Sequence, residues 1–190
     1  MYQRAVLEKA KFAALAGVAV IAVVMAMASS PTAQPVAPDQ PLVGSRVRVQ
    51  GMPGVSTLLD VRQPLTYGQY RWDDRGVPPG AIHIRVDRTA QLISVFRGRD
   101  EIGTAVILYG VNAKPTPLGK FPILDKRRDY WSRTYDAPMP YALRLTDDGV
   151  AIHASDVRPG RGTNGCIGLP DAFARRLFEQ AKPGDIVEIV

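Results

Sequence analysis

The sequence has a single cysteine, Cys166, and only two histidines, His83 and His153, among 190 residues. One cysteine excludes an internal disulfide. Two histidines and one cysteine far apart do not supply the three or four closely spaced ligands of a zinc centre. No metal and no other cofactor is therefore expected. Acidic residues are the minority, 18 against 24 basic ones, and the formal net charge is +6 with a pI near 9.7. Such an excess suits an anionic surface such as a cell envelope. It also suits nucleic acid, but the basic residues are scattered and no nucleic-acid motif occurs, so no nucleic-acid partner is expected. At 46% apolar and 22% charged, the chain has a globular composition and room for one domain plus appendages.

Long apolar runs are absent except for one. Residues 1–11 are short and basic, and Phe12 to Ala28 then run without a charge for 17 residues. Ala26-Met27-Ala28 has the small-x-small form of a signal-peptidase site. The run is also at the short edge of a membrane span of about 20 residues. A cleaved signal peptide and an uncleaved membrane anchor both fit residues 1–28, and either exports the domain to the periplasm or the outer face of the cytoplasmic membrane. No lipoprotein cysteine follows. Residues 29–44 hold Pro31, Pro35, Pro38 and Pro41 and read as a semi-extended linker. Residues 45–80 read as an irregular N-terminal extension packed on the domain, with short apolar pieces at Arg46-Val47-Arg48-Val49 and Leu58-Leu59-Asp60-Val61. Gly76 to Gly80 breaks the chain before the domain proper at 81–190.

In that domain the pattern is mostly β. Ala81–Asp87 alternates, with Ile82, Ile84 and Val86 facing one way and His83 and Arg85 the other, which makes His83 a surface residue. Gln91–Gly98 and Ile102–Tyr109 continue a β-meander. A Pro/Gly turn and strand follow at Thr116–Ile123, and a hairpin at Tyr141–Leu145 and Val150–His153. Asp171–Lys182 is the one clear helix, with Phe173, Leu177, Phe178 and Ala181 on one face. Ile186–Val190 is a last strand. Asp125–Ala137 reads as a long polar loop, either merely solvated or acting as a lid beside a site.

Chemistry concentrates in Gly149–Pro170. A strand ending at His153 enters a loop rich in proline and glycine, and the chain comes back at Cys166. The loop ends are neighbours in space, so His153 and Cys166 can meet although twelve residues lie between them. A thiol needs a base to become the nucleophilic thiolate, and imidazole suits that task near neutral pH. Taken alone, the cysteine is a functional thiol, an intermolecular bridge or a buried bystander. Taken alone, His153 is a ligand to its own loop or a base.

At these residues the sequence resembles the L,D-transpeptidases with the YkuD-type catalytic domain. The matching pieces are His153, the loop, and Thr163-Asn164-Gly165-Cys166-Ile167. Upstream, Thr116-Pro117-Leu118-Gly119-Lys120-Phe121 and Met139-Pro140-Tyr141 match as well. The resemblance covers roughly residues 80–190 and implies a mostly β, sandwich-like fold with one C-terminal helix. It implies a cysteine acyltransferase acting on peptidoglycan stem peptides in cell-wall synthesis, with carbapenem-type β-lactams as inhibitors. Cys166 is then the nucleophile and His153 the base. The Ala154 carbonyl would fix the imidazole, and Gly165 and Cys166 N–H groups would form the oxyanion hole, supported by Asn164 and Thr163. Tyr135, Arg133 and Tyr141 would contact substrate. Two departures from the family stand out: Asn164, where many members have histidine, and Gly168, where arginine or asparagine is common. They leave open a second expectation, a degenerate fold that binds peptidoglycan without catalysis.

Overall fold

The structure, a computed structural model, describes residues 46–110 and 114–190. The apolar run and the Pro-rich linker expected at 1–44 lie outside the described residues. Among the described residues no helix is long and apolar enough to cross a membrane.

The segment before the expected domain adds strands to it. β1 (Arg46–Arg48) pairs with β2 (Thr57–Leu59), and β3 (Tyr70–Trp72) follows. The alternating stretches then give β4 (Ile82–Asp87), β5 (Leu92–Arg97) and β6 (Asp100–Val106) as an antiparallel meander. β2 and β3 both pair with β6, so residues 46–72 extend the main sheet rather than lying irregularly on it. The carboxylate of Glu101, buried at 4% exposure, accepts the Leu59 N–H at 2.8 Å and pins β2 in place. Tyr70 and Trp72 are buried in the core.

Beyond the meander come β7 (Gly119–Pro122), β8 (Asp125–Arg127), β9 (Trp131–Ser132) and β10 (Ala137–Pro138). They are followed by β11 (Ala142–Arg144), β12 (Ala151–Ala154) and β13 (Ile167–Leu169). Helix α1 (Asp171–Gln180) and β14 (Ile186–Ile189) complete the described chain. The main sheet has eight strands, ordered β1-β2-β6-β5-β4-β14-β7 with β3 also on β6. The second sheet has four, ordered β13-β12-β11-β8. The expected polar loop at 125–137 is therefore partly ordered: β8 pairs with β11, and β9 and β10 make a small hairpin. No apolar alternation announces β8, because Asp125-Lys126-Arg127 is charged throughout.

The core lies between the sheets and under α1. Phe173 packs edge-on against Tyr70 at 5.7 Å and Trp72 at 5.3 Å between ring centroids. Gly103 leaves room for the indole, since a Cβ there would lie 2.4 Å from it. The helix presents Phe173, Ala174, Leu177 and Phe178 inward, as its apolar spacing predicts. No basic residue occupies its last turn. Lys126 instead reaches across from β8 and donates to the Phe178 and Ala181 carbonyls, capping the helix end.

Candidate active site

β12 and β13 pair in parallel, with Ile152 opposite Ile167, His153 opposite Gly168 and Ala154 opposite Leu169. The chain thus crosses over between them instead of returning as a hairpin. Period-2 alternation puts Ile152, Ile167 and Leu169, each at most 1% exposed, on the core side. It puts His153 and Cys166 together on the other side.

Both line a pocket of about 300 Å³, with Leu108, Met139, Tyr135 and Asn164 among its other walls. A larger cleft of about 760 Å³ opens beside it and shares Pro138, Ser155, Asp156 and Arg161. His153 is 8% and Cys166 4% exposed. His153 Nδ1 lies 2.8 Å from the Ala154 carbonyl, with Ser155 Oγ at 3.4 Å. Donation from Nδ1–H to that carbonyl leaves Nε2 as the basic nitrogen. Burial holds the imidazole below the ordinary histidine range, against a smaller opposing effect of the Ala154 carbonyl.

The thiol donates to the Gly149 carbonyl at 3.7 Å. No hydrogen bond joins it to His153 among the described residues. Burial pushes the thiol up; the Ala151 N–H and the Lys114 ammonium pull the other way, and Asp148 adds to the rise. Met139 and Ala151 pack beside the sulfur, with Tyr130 behind them.

The loop before Cys166 is fixed by hydroxyls. Thr163 Oγ1 donates to the Cys166 carbonyl, and Thr116 Oγ1 reaches the same oxygen at 3.4 Å. Thr116, 1% exposed, also accepts the Gly110 N–H at 2.9 Å. Gly165 has φ +96°, a conformation that suits glycine. It turns the chain so that neither its own N–H nor that of Cys166 meets a protein acceptor among the described residues.

Of the other expected contacts, Tyr135 lines the pocket and donates its hydroxyl to the Asn164 carbonyl at 3.3 Å. Arg133 is exposed on the same β9–β10 hairpin and does not line the pocket. Tyr141 departs from expectation. At φ +56° it turns onto Phe178, 5.8 Å between ring centroids, and packs against the core instead of the pocket. His83 is half-buried against Phe96, not fully on the surface. The smallness of Gly168 has a local cause: a Cβ there would lie 2.8 Å from the Ser155 side chain. The serine fills the space that a side chain at 168 would need.

Sequence reasoning missed Ser155, Lys114, Asp148 and the placement of Thr116. For Thr116 the signal was present in the Thr-Pro-x-Gly-x-Phe stretch. No group of three or more His, Cys, Asp or Glu side chains able to hold a metal ion occurs among the described residues.

With this geometry in hand, comparison with known proteins is specific. The family model of the YkuD L,D-transpeptidase catalytic domain matches residues 81–189. The fold is similar to that of an L,D-transpeptidase from Stackebrandtia nassauensis, at TM-score 0.54 and 24% identity over 60% of this chain and 57% of that one. The LD transpeptidase LdtMt1, solved in complex with imipenem, is 27% identical at TM-score 0.53, over 58% of this chain and 59% of that one. A mutant L,D-transpeptidase from Enterococcus faecium is 26% identical at TM-score 0.53, over 59% and 50%. The chain thus spans about half the length of the solved structures it matches. No curated protein matches it. A mostly β fold with this strand order, a family match over more than half the sequence, and a histidine and cysteine on one pocket wall agree: the chain belongs to the YkuD L,D-transpeptidase catalytic domain family.

Proposed function

We propose that the protein is a peptidoglycan L,D-transpeptidase that works through a Cys166 thioester on the outer side of the cytoplasmic membrane. The observation that carries the reading is the shared pocket of Cys166 and His153 in a chain of this family. His153 Nε2 takes the thiol proton, and the sulfur attacks the carbonyl of the third residue of a donor stem. The Gly165 and Cys166 N–H groups, without a protein acceptor among the described residues, meet the developing oxyanion. Collapse expels the terminal D-alanine, whose amine takes the proton back from His153. An amine on a second stem then attacks the thioester, and Cys166 is released. Export of the domain rests on the apolar run at 12–28, which ends in Ala26-Met27-Ala28.

A non-catalytic peptidoglycan-binding module is the second reading. The hydrogen bond of the thiol to Gly149, rather than to His153, favours it. Intact-mass spectrometry after incubation with imipenem separates the two. An adduct on the reduced protein that is lost in Cys166→Ala supports the enzyme. No adduct on folded protein supports the binding module.

A further inference from the structure

The residue before Cys166 is flanked by a cation that the reaction scheme above does not use. The methylene stem of Lys114 runs alongside Gly165, with Cγ, Cδ and Cε 3.4–3.6 Å from where a Cβ on that glycine would stand. Its ammonium holds residue 148 twice, at 3.0 Å to the Asp148 carboxylate and 3.2 Å to the Asp148 carbonyl. The thiol holds the next residue, through the Gly149 carbonyl. Lys114 and Cys166 therefore grip adjacent residues of one turn. The Lys114–Asp148 pair is exposed, at 36% and 64% of the two side chains. An exposed pair contributes little to stability, so its place on the turn that also holds the thiol matters more than its strength.

We propose that Lys114 is the electrostatic partner of the Cys166 thiolate, with Asp148 setting how much of its charge the sulfur feels. This rests on the reading of Cys166 as the nucleophile. A thiol that donates to a carbonyl loses that bond when it ionises, so the Gly149 contact holds the neutral form. His153 is buried and neutral until it takes the thiol proton, so it offers no standing charge to the resting thiol. The other groups facing the sulfur leave the role to Lys114. Asp148 opposes ionisation. Arg161 lines the pocket within 3.9 Å of Asp156, which partly cancels it. The sign of each residue's effect follows directly: the ammonium favours the thiolate, and the carboxylate weakens that help.

The test is the pH dependence of Cys166 alkylation by iodoacetamide, read by intact mass on the full chain. Lys114→Met is expected to move the midpoint up and to slow alkylation about tenfold at a pH below it, the effect of one pKa unit. Lys114→Arg is expected to restore it. Asp148→Asn is expected to move the midpoint down, and high salt to shrink all of these shifts. Shifts of opposite sign in the two variants cannot come from a loss of folding alone. Unchanged midpoints, or shifts of the same sign, overturn the proposal. If Lys114→Met does not fold, Asp148→Asn still decides: a midpoint that stays or rises overturns it. Alkylation needs neither stem peptide nor β-lactam. The proposal therefore fails or stands independently of imipenem acylation.

Discussion

Replacing Thr116 by valine removes both ends of a bridge at once. The Gly110 N–H loses its acceptor, and the Cys166 carbonyl keeps only the Thr163 hydroxyl. Leaving buried groups unpaired costs about 1–3 kcal/mol, and urea unfolding of Thr116→Val should show a loss of that size. The same variant should acylate more slowly with imipenem, because the carbonyl it frees belongs to the nucleophile. A valine variant with wild-type stability and acylation rate would remove Thr116 from the site. The buried pair also predicts a pH window for stability. His153 is held below the ordinary histidine value. Between that depressed value and about 6.5 the unfolded chain binds more protons, so stability rises with pH there. Cys166 is pushed up, so above about 8.5 the unfolded chain has lost a proton that the folded chain keeps, and stability falls as pH rises. Unfolding midpoints measured across pH should show a smaller alkaline decline in Cys166→Ala than in the parent. They should show a smaller acid decline in His153→Asn.

Single elements were legible where their periodicity was set by the core. β4, β5, α1 and β14 follow alternation or helical spacing because one face of each is buried. Their bounds shift by only a few residues from the pattern. β8 was not legible, because its pairing with β11 and the reach of Lys126 to α1 decide its conformation, and neither is local in sequence. The site divides in the same way. Cys166, His153, Gly165 and the Ala154 carbonyl could be read from one contiguous stretch. Lys114 reaches Asp148, on the turn that also holds the thiol, only through folding, and Tyr141 reads as a contact until its positive φ turns it to Phe178. The helix cap carries its own prediction. Lys126→Met leaves the Phe178 and Ala181 carbonyls without their donor and should cost about 1–3 kcal/mol. A thermal unfolding midpoint unchanged from the parent would show that water replaces the lysine.

At the scale of the whole molecule, the family match begins at residue 81, but the core does not. Tyr70 and Trp72 are 1% and 5% exposed and sandwich Phe173. Removing two buried aromatics costs about 3–5 kcal/mol each, comparable to the whole stability of many domains. A fragment 81–190 should therefore lack a cooperative unfolding transition that 46–190 retains, as circular dichroism can show. A cooperative 81–190 would make the early strands dispensable.

β14 lies between β4 and β7, parallel to the first and antiparallel to the second. Among the described residues β7 has no other partner in the main sheet. During synthesis, the meander from β4 to β6 and the strand bearing His153 leave the ribosome long before Ile189 does. Until that residue emerges, β4 has an open edge and β7 has nothing to join. The nascent chain thus carries its thiol before the main sheet is complete.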